Sequence, residues 1–307
     1  MSRTPAWGAF PAITRGTRAI LAAAALLTGS LLGAQEPTKL SSVRLSYPTY
    51  TAAGTILYES MGGGNWDVFT MPADGISDSA PMTRLTASDS LDRMPAMSPD
   101  GRFIAFISDR NGNYDVYRMR ADGTDVRRLT TTAAHEIHPY WTPDSRQIVF
   151  NRLVPEERVY AIWIMDSDGG RQRELLHDGQ MNSYAQVSPD GRLLVFDKWW
   201  GNEETNGEIM VMDLDTRAVR RLTENAVYDG YPTWYPDSRH VLYSSEVDGV
   251  FKLMRIDVTS GERTQVSFGP GADQRGDVSA DGTRIVFNRN IDGSIEIYEL
   301  LLPPARD

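Results

Sequence analysis

The sequence predicts an all-β protein, a six-bladed β-propeller built from four-stranded antiparallel blades. Three observations lead to this prediction: a turn motif that recurs at a fixed period, short apolar segments at similar distances after each turn, and no segment that sustains a helical period. Five copies of the turn, spaced by 44 to 47 residues, begin at Ser98, Thr142, Ser188, Tyr235 and Ser279. A degenerate sixth copy, Thr51–Gly54, precedes them. A constant period of this length indicates an array of equivalent structural units.

The unit itself has the pattern of four short strands. In the turn, proline presets the backbone of the second position, and Asp-Gly or Asp-Ser supplies a polar end that tolerates a left-handed conformation. A β-branched and aromatic run follows, as in Phe103–Ile107, and then a segment with apolar second and last positions, as in Asp115–Met119. Arg-Leu-Thr or a variant ends the unit, as in Arg128–Thr130. With the strand that leads into the turn, these segments make one propeller blade.

The two ends of the chain are expected to close the ring. The last unit has its turn at Ser279 but no fourth strand before Pro303, whereas Val43–Ser46 matches the ending of the other units and precedes the first turn. We therefore expect Val43–Ser46 to pair as the outermost strand of the last blade, which removes a free sheet edge. The closing residues number six, which gives six blades: Leu45, Leu85, Leu129, Leu175, Leu222 and Val266.

The N-terminus has the pattern of a secretory signal peptide over residues 1–34. Arg3, Arg15 and Arg18 precede an apolar run that starts at Ala19 and ends in small residues at Ala34. Basic, apolar and small segments in this order are typical of secreted proteins. We expect residues 35–307 to form the mature propeller, periplasmic or secreted, with no membrane span. A retained anchor is the alternative, but the run is short and diluted for a span of about 20 apolar residues.

Charge and cysteine content narrow the classes of partner. The chain has no cysteine, so disulfides and thiol chemistry are excluded. Removing residues 1–34 takes away three of the 31 basic residues and none of the 41 acidic ones, which leaves a net charge of −13. An acidic domain of this kind argues against nucleic acid and against anionic membrane surfaces as partners. We expect a monomer without a cofactor.

Residues 92–130 show a resemblance to a known repeat. The motifs Met97-Ser98-Pro99-Asp100-Gly101, Ser108-Asp109-Arg110 and Leu129-Thr130 resemble the WD-like propeller repeats of the TolB family, and the resemblance covers about residues 40–302. It implies a propeller that binds envelope proteins, as TolB works with the peptidoglycan-associated lipoprotein. Similar repeats occur in the non-catalytic propellers of prolyl-oligopeptidase-type peptidases and in a lyase that acts on oligogalacturonides through a cluster of metal-binding histidines. We expect no counterpart of the N-terminal domain of TolB, and the Gly-x-Ser-x-Gly pattern of the peptidases is absent.

One candidate site is a ring of polar residues at one mouth of the channel. In five units an acidic or amide residue stands three positions before the proline of the first strand or its equivalent: Asp92, Glu136, Asn182, Asp229 and Asp273. Converging carboxylates would attract a cation or a basic peptide. The alternative is that each residue caps a turn or loop of its own blade, as Asp and Asn commonly do.

A second candidate set lies two residues further along the same strands. The residues that precede the proline or its equivalent are Tyr47, Met94, His138, Tyr184, Tyr231 and Arg275. Aromatic and polar side chains around one mouth suit the binding of a peptide or a glycan. The alternative is that they pack against one another and close the channel.

Histidines and tryptophans supply weaker candidates. His135, Glu136 and His138 lie close in sequence and suggest a divalent metal, whereas His177 and His240 fall at unrelated positions and are expected on the surface. Trp199 and Trp200 open the longest hairpin, where they either contact a partner or sugar or cover the gap between blades.

From these features we expect a binding module for an envelope protein or peptide at the channel mouth. Two alternatives remain open. One is a lyase or hydrolase at the channel mouth that uses His138 with Glu136 and a divalent metal, and the other is a structural component of the envelope.

Overall fold

The computed structural model describes residues 36–40, 45–62, 64–75, 81–200 and 206–302. These residues form six antiparallel sheets of four strands each, which confirms the six-bladed propeller. Blade 1 contains β2 (Leu45–Tyr50), β3 (Thr55–Ser60), β4 (Asp67–Pro72) and β5 (Thr83–Arg84). Blade 2 contains β6 (Asp92–Met97), β7 (Phe103–Ser108), β8 (Asp115–Arg120) and β9 (Arg127–Arg128). Blade 3 contains β10 (Glu136–Trp141), β11 (Gln147–Val154), β12 (Val159–Asp166) and β13 (Arg173–Leu176).

The second half of the ring repeats this arrangement. Blade 4 contains β14 (Met181–Val187), β15 (Leu193–Trp199), β16 (Gly207–Asp213) and β17 (Val219–Arg221). Blade 5 contains β18 (Asp229–Trp234), β19 (His240–Val247), β20 (Val250–Asp257) and β21 (Arg263–Gln265). Blade 6 contains β22 (Ala272–Val278), β23 (Arg284–Ile291), β24 (Ser294–Leu301) and β1 (Thr38–Lys39). The first strand named for each blade is its innermost strand.

Closure of the ring by an N-terminal strand is confirmed, but a different segment of the chain forms that strand. Thr38 pairs with Glu299, and the Leu40 amide donates to the Ile297 carbonyl at 2.9 Å, as the Leu85 amide does to Val68 at 2.8 Å. The assignment of the closing strand to Val43–Ser46 is wrong. Leu45 and Ser46 begin the innermost strand of blade 1, and Val43 and Arg44 lie outside the described residues. The physical reason is the period: Leu40 lies a full repeat before Leu85, whereas Leu45 is five residues short of it.

The core lies between blades, where aromatic rings of the second strands pack against the neighbouring sheet. The fourth residue of the second strand is aromatic and buried in every blade: Tyr58, Phe106, Phe150, Phe196, Tyr243 and Phe287. Each apolar cluster joins side chains of two adjacent blades, as Val149 and Ile162 of blade 3 join Leu194 of blade 4. Burying aromatic rings in this way is the main stabilising contribution to a ring of thin sheets.

The recurring turn has the predicted left-handed end and is also held by hydrogen bonds of its own side chains. In blade 2 the Ser98 hydroxyl donates to Asp100 at 2.6 Å and accepts from the Phe103 amide at 2.9 Å. The fourth position is left-handed in all six copies, which explains the preference for glycine there: Gly54, Gly101, Ser145, Gly191, Ser238 and Gly282.

The Arg-Leu-Thr ending is held to the third strand by a buried carboxylate. In blade 1, Asp67 accepts from Arg84 at 2.5 Å and from Thr86 at 3.0 Å. Glu208 in blade 4 makes the same pair of contacts with Arg221 and Thr223. The signal peptide expected over residues 1–34 lies outside the described residues. Within the described ranges, no helix is long and apolar enough to cross a membrane.

Candidate functional site in the central channel

The five residues of the predicted polar ring lie at or near the start of the innermost strands, and all five are fully buried. Asp92 accepts two hydrogen bonds from Arg110 at 2.9 and 3.1 Å, and Glu136 accepts from Arg152 at 2.8 Å. Asp273 is bound by Arg289 at 2.6 and 2.8 Å. These carboxylates are therefore neutralised inside their own blades.

The two remaining members of the ring are bound by neighbouring loop residues. Asn182 donates to Asp178 at 3.0 Å, and Asp229 accepts from Asn225 at 2.7 Å. Burial raises the pKa of Asp229. These contacts match local caps and do not present an open acidic ring, although a role of the five residues in binding stays a prediction.

The second candidate set forms one layer of the channel, which we call the channel tier: Tyr47, Met94, His138, Tyr184, Tyr231 and Arg275. All six residues are left-handed, with φ between 51° and 56°. Each lies at a β-bulge, where the register between the first and second strands shifts. Proline follows four of the six, and it suits a bulge because an unpaired position needs no amide hydrogen. The bulge is the feature that the sequence pattern did not reveal.

The preceding blade fixes the bulge in at least three places. The Met94 amide donates to Glu59 at 2.9 Å, and the Arg275 amide donates to Ser244 at 3.2 Å. The Tyr231 amide donates to Asp197 at 3.3 Å. Asp197 is fully buried beside an aromatic cluster, and burial raises its pKa to about 7. Sequence reasoning missed these second-strand residues because their partners lie in the next repeat.

Side chains of the channel tier meet across the axis. The Tyr47 hydroxyl lies 2.9 Å from that of Tyr184 and 3.5 Å from Nε2 of His138. Blades 1 and 4 are opposite in a six-bladed ring, so the bond between Tyr47 and Tyr184 spans the channel. The His138 and Tyr184 rings lie 3.8 Å apart, and Tyr231 meets Tyr184 edge-on at 4.8 Å. The side chains therefore close the channel at this level.

Arg275 completes the tier as a cation between two aromatic rings. Its guanidinium carbon lies 4.2 Å from the centre of the Tyr47 ring and 4.8 Å from that of Tyr231. Both distances suit cation–π attraction. Burial works against the charge, but the surrounding tyrosines and Glu59 hold the pKa of Arg275 well above its usual value.

His138 and Glu136 do not share contacts. Nδ1 of His138 lies 3.3 Å from Asn151, and burial together with the Arg275 charge lowers the pKa of His138 to about 3. The His135 ring accepts from the Tyr114 amide at 3.1 Å. Among the described residues, no group of three or more His, Cys, Asp or Glu side chains could hold a metal ion. The geometry thus gives no support to the alternative in which His138 and Glu136 act with a divalent metal.

A second layer of side chains lies two residues further along the innermost strands. Thr49 and Thr233 donate to Asp277 at 2.8 and 3.4 Å, and Thr233 also donates to Gln186 at 3.0 Å. A cavity of about 40 Å³ is lined by residues of both layers, including Tyr140 and Arg275. The alternation of strand side chains could have pointed to this layer, since residues two apart share a face.

The remaining candidates lie away from the channel tier. Trp199 packs edge-on against Tyr228 of the next blade at 4.9 Å, as expected for a residue that covers the gap between blades. Trp200 is 39% exposed and lies near the charges of Lys198 and Arg221. His177 contacts Glu157 and His240 contacts Asp237, and both histidine side chains are partly exposed.

Comparison with known proteins agrees with this architecture. The family described as TolB beta propeller domain matches residues 44–205 and 201–302. An uncharacterised protein of Agrobacterium fabrum is 34% identical over 136 residues, which are 41% of this chain and 45% of that protein. The Tol-Pal system protein TolB of Anaeromyxobacter dehalogenans is 32% identical over 117 residues, 38% of this chain and 25% of that protein.

A solved structure shows the same fold over its full length. The putative TolB from Agrobacterium tumefaciens superposes with a TM-score of 0.66 at 19% identity, covering 87% of this chain and 97% of that one. At this identity the likeness establishes the fold alone. The matched segments span less than half the length of the curated relatives. The family match covers most of the chain, and the chain therefore belongs to the TolB beta-propeller domain family.

Proposed function

We propose that this protein is a periplasmic or secreted binding module that holds an envelope protein or peptide at the mouth of its channel. The observation that carries the proposal is the channel tier. Six positions share one unusual backbone conformation, yet they carry four residue types: three tyrosines, one methionine, one histidine and one arginine. A recognition surface needs different side chains held at equivalent positions, and the shared backbone conformation of this layer provides such positions.

The backbone of the tier supports a role for its side chains. A left-handed conformation costs a residue other than glycine about 1 to 2 kcal/mol, and none of the six positions is glycine. Retention of large side chains at strained positions points to a use for those side chains. Tyrosine and arginine are also the residues most enriched where interfaces gain their binding energy.

Closure of the channel defines how a partner would bind. Because Tyr47 and Tyr184 are hydrogen-bonded across the axis, a chain segment does not thread through this level. A partner would instead rest on the tier and on the surrounding loops. An acidic protein is a poor receptor for nucleic acid, so a protein or peptide is the favoured partner.

The relatives support the same class of partner. The Anaeromyxobacter dehalogenans protein carries a name that places it in the Tol-Pal system, and residues 1–34 of the present chain have the pattern of a secretory signal. We extend from these two points to an envelope partner. The enzymatic alternative lacks a comparable observation, since His138 and Glu136 are bound to different neighbours.

Two methionine substitutions test the proposal. Met94→Arg adds a long cation at the half-buried tier position of blade 2, whereas Met82→Arg adds the same group where the side chain is 36% exposed outside the channel. Wild type and both variants are used to capture proteins from an envelope extract of the organism that encodes this chain. The captured proteins are identified by mass spectrometry. We expect a partner held by wild type and Met82→Arg to be lost with Met94→Arg. If Met94→Arg folds and retains the same partners, the channel mouth is not the binding site.

A further inference from the structure

Arg275 differs from other arginines near the innermost strands in having no carboxylate partner among its hydrogen bonds in the described ranges. Arg289 binds Asp273 through two hydrogen bonds, and Arg93 binds Glu59 at 2.8 Å. Among the described residues, the Arg275 guanidinium has one hydrogen-bond acceptor, the Ser46 hydroxyl at 3.4 Å, which is a long contact. An arginine has five N–H donors, so most of them are left for another ligand.

The nearby carboxylates are already engaged. Glu59 accepts from Arg93 and from the Met94 amide. Asp277, two residues beyond Arg275, accepts from Thr49 and from the Tyr50 amide, each at 2.8 Å. Arg275 therefore has no carboxylate within hydrogen-bonding distance in the described part of the chain, and Asp277, which lines the same cavity, accepts from the neutral donors Thr49, Tyr50 and Thr233. A partly buried cation without a direct ion pair is less stable than a paired one, and the two tyrosine rings only partly replace a bound anion.

The cavity beside Arg275 limits what could supply that anion. Its volume is about 40 Å³ and its lining includes Tyr47, Tyr184 and Tyr231. A water molecule needs roughly 10 to 15 Å³ measured in this way, so the cavity has room for about three water-sized groups. A carboxylate has three heavy atoms, whereas a phosphate has five.

We propose that Arg275 is a receptor for a carboxylate group of the bound partner. This inference rests on the proposed function, because it assigns a chemical group of the protein or peptide partner to the channel. The guanidinium lies over the rings of both Tyr47 and Tyr231, and these contacts leave its N–H groups for a two-point contact with a planar carboxylate. The group is either the C-terminal carboxylate of a peptide or the side chain of Asp or Glu.

Four short peptides distinguish these sources. Acetyl-Gly-Gly-Ala is used with a free C-terminus and as its amide, and acetyl-Gly-Glu-Ala-amide is compared with acetyl-Gly-Gln-Ala-amide. Binding is followed by NMR of the arginine Nε–H groups of the full mature chain, with acetate and inorganic phosphate as small probes. We expect one acid peptide to bind at least about tenfold more tightly than its neutral counterpart, and acetate to shift the Arg275 signal where phosphate does not.

Variants locate the effect on Arg275. Arg275→Gln should abolish the preference for the acid peptide, and Arg275→Lys should weaken it several-fold because lysine lacks the planar fork. Arg284→Gln removes the same charge at the start of the second strand of blade 6, where Arg284 pairs with Glu299, and should keep the preference. If Arg275→Gln does not fold, the acid and amide comparison in wild type still decides the matter.

Two results would overturn the inference: equal affinity of wild type for acid and amide peptides, or a preference that survives in folded Arg275→Gln. Its failure is distinguishable from failure of the proposed function. A protein captured through the tier but indifferent to Arg275→Gln contradicts the carboxylate receptor alone. A carboxylate preference without any captured protein that depends on Met94 contradicts the binding module as proposed.

Discussion

The recurring turns and the channel tier both place a left-handed residue at a repeated position, but they fill it differently. In the turns the residue is glycine in four copies and serine in two, and in four copies the hydroxyl of the first turn residue donates to the aspartate two positions later. In the tier it is never glycine, and the side chains of Tyr47, His138, Tyr184, Tyr231 and Arg275 contact one another in the channel. Glycine at most of the turn positions avoids backbone strain. The tier positions carry large side chains although their backbone is strained.

The carboxylates of the polar ring, like the turns, make hydrogen bonds within their own blades. Removing one of these carboxylates should have the largest effect on stability. Asp273→Asn leaves Arg289, which is 3% exposed, without its counter-charge. We expect the free energy of unfolding to fall by about 3 kcal/mol, as is usual when one partner of a buried ion pair is removed. Urea denaturation measures the change.

Asp125→Asn is the matched control, because it removes the same charge from an ion pair with Arg127 on the surface. It should change the stability little. Equal losses of unfolding free energy in the two variants would contradict a stabilising role of the buried pair of Asp273 and Arg289.

An intermediate effect is expected from the tier, as a change of stability with pH. The folded-state pKa of His138 is lowered from 6.5 to about 3, so the unfolded chain takes up a proton that the folded protein excludes. The contribution of neutral His138 is therefore complete above pH 6.5 and is lost as the pH falls toward 3. Between pH 5.5 and 4 the loss approaches about 1.4 kcal/mol per pH unit.

His138→Asn removes this dependence and keeps a residue that tolerates the left-handed conformation. Denaturant midpoints between pH 4 and 7.5 should show a smaller slope for the variant than for wild type. The rise in the pKa of Asp197 acts in the opposite direction but equally in both proteins, so the difference isolates His138. Parallel pH profiles would show that His138 is accessible to solvent.

The smallest effect is expected at a turn. Ser238 is left-handed with φ of 56°, and its hydroxyl accepts from the Asp190 amide of the preceding blade at 3.0 Å. Ser238→Gly relieves the backbone and loses that bond, and the two terms of about 1 kcal/mol roughly cancel. A loss of unfolding free energy well above 1 kcal/mol, measured by thermal or urea denaturation, would mean that Ser238 stabilises the protein by more than this one hydrogen bond.

Much of the fold could be predicted because its signals are local. The Ser-Pro-Asp-Gly turns and the apolar strands after them depend on residues within one repeat, and they yielded six blades correctly. The closing strand was misplaced by one motif, because Lys39-Leu40 resembles the Arg-Leu-Thr ending less than Arg44-Leu45 does, although only Leu40 has the correct period.

The candidate site was predictable as a set of positions but not as an arrangement. Position before the proline identified the channel tier. The left-handed bulge and the burial of the strand-start carboxylates did not follow from the pattern, because burial depends on the arginines that the second strand supplies. Asp197, Glu59 and Ser244 were missed for the same reason, since each binds a residue of the following blade.

By itself the sequence determined the repeat, the number of blades and the chemistry of the turns, because a turn and a strand are set by neighbours along the chain. The tertiary structure alone decided which side chains face one another over the axis. Tyr47 and Tyr184 are 137 residues apart, and only closure of the ring brings their hydroxyls within 2.9 Å. The same closure leaves Arg275 between two tyrosines without a carboxylate, which no local pattern records.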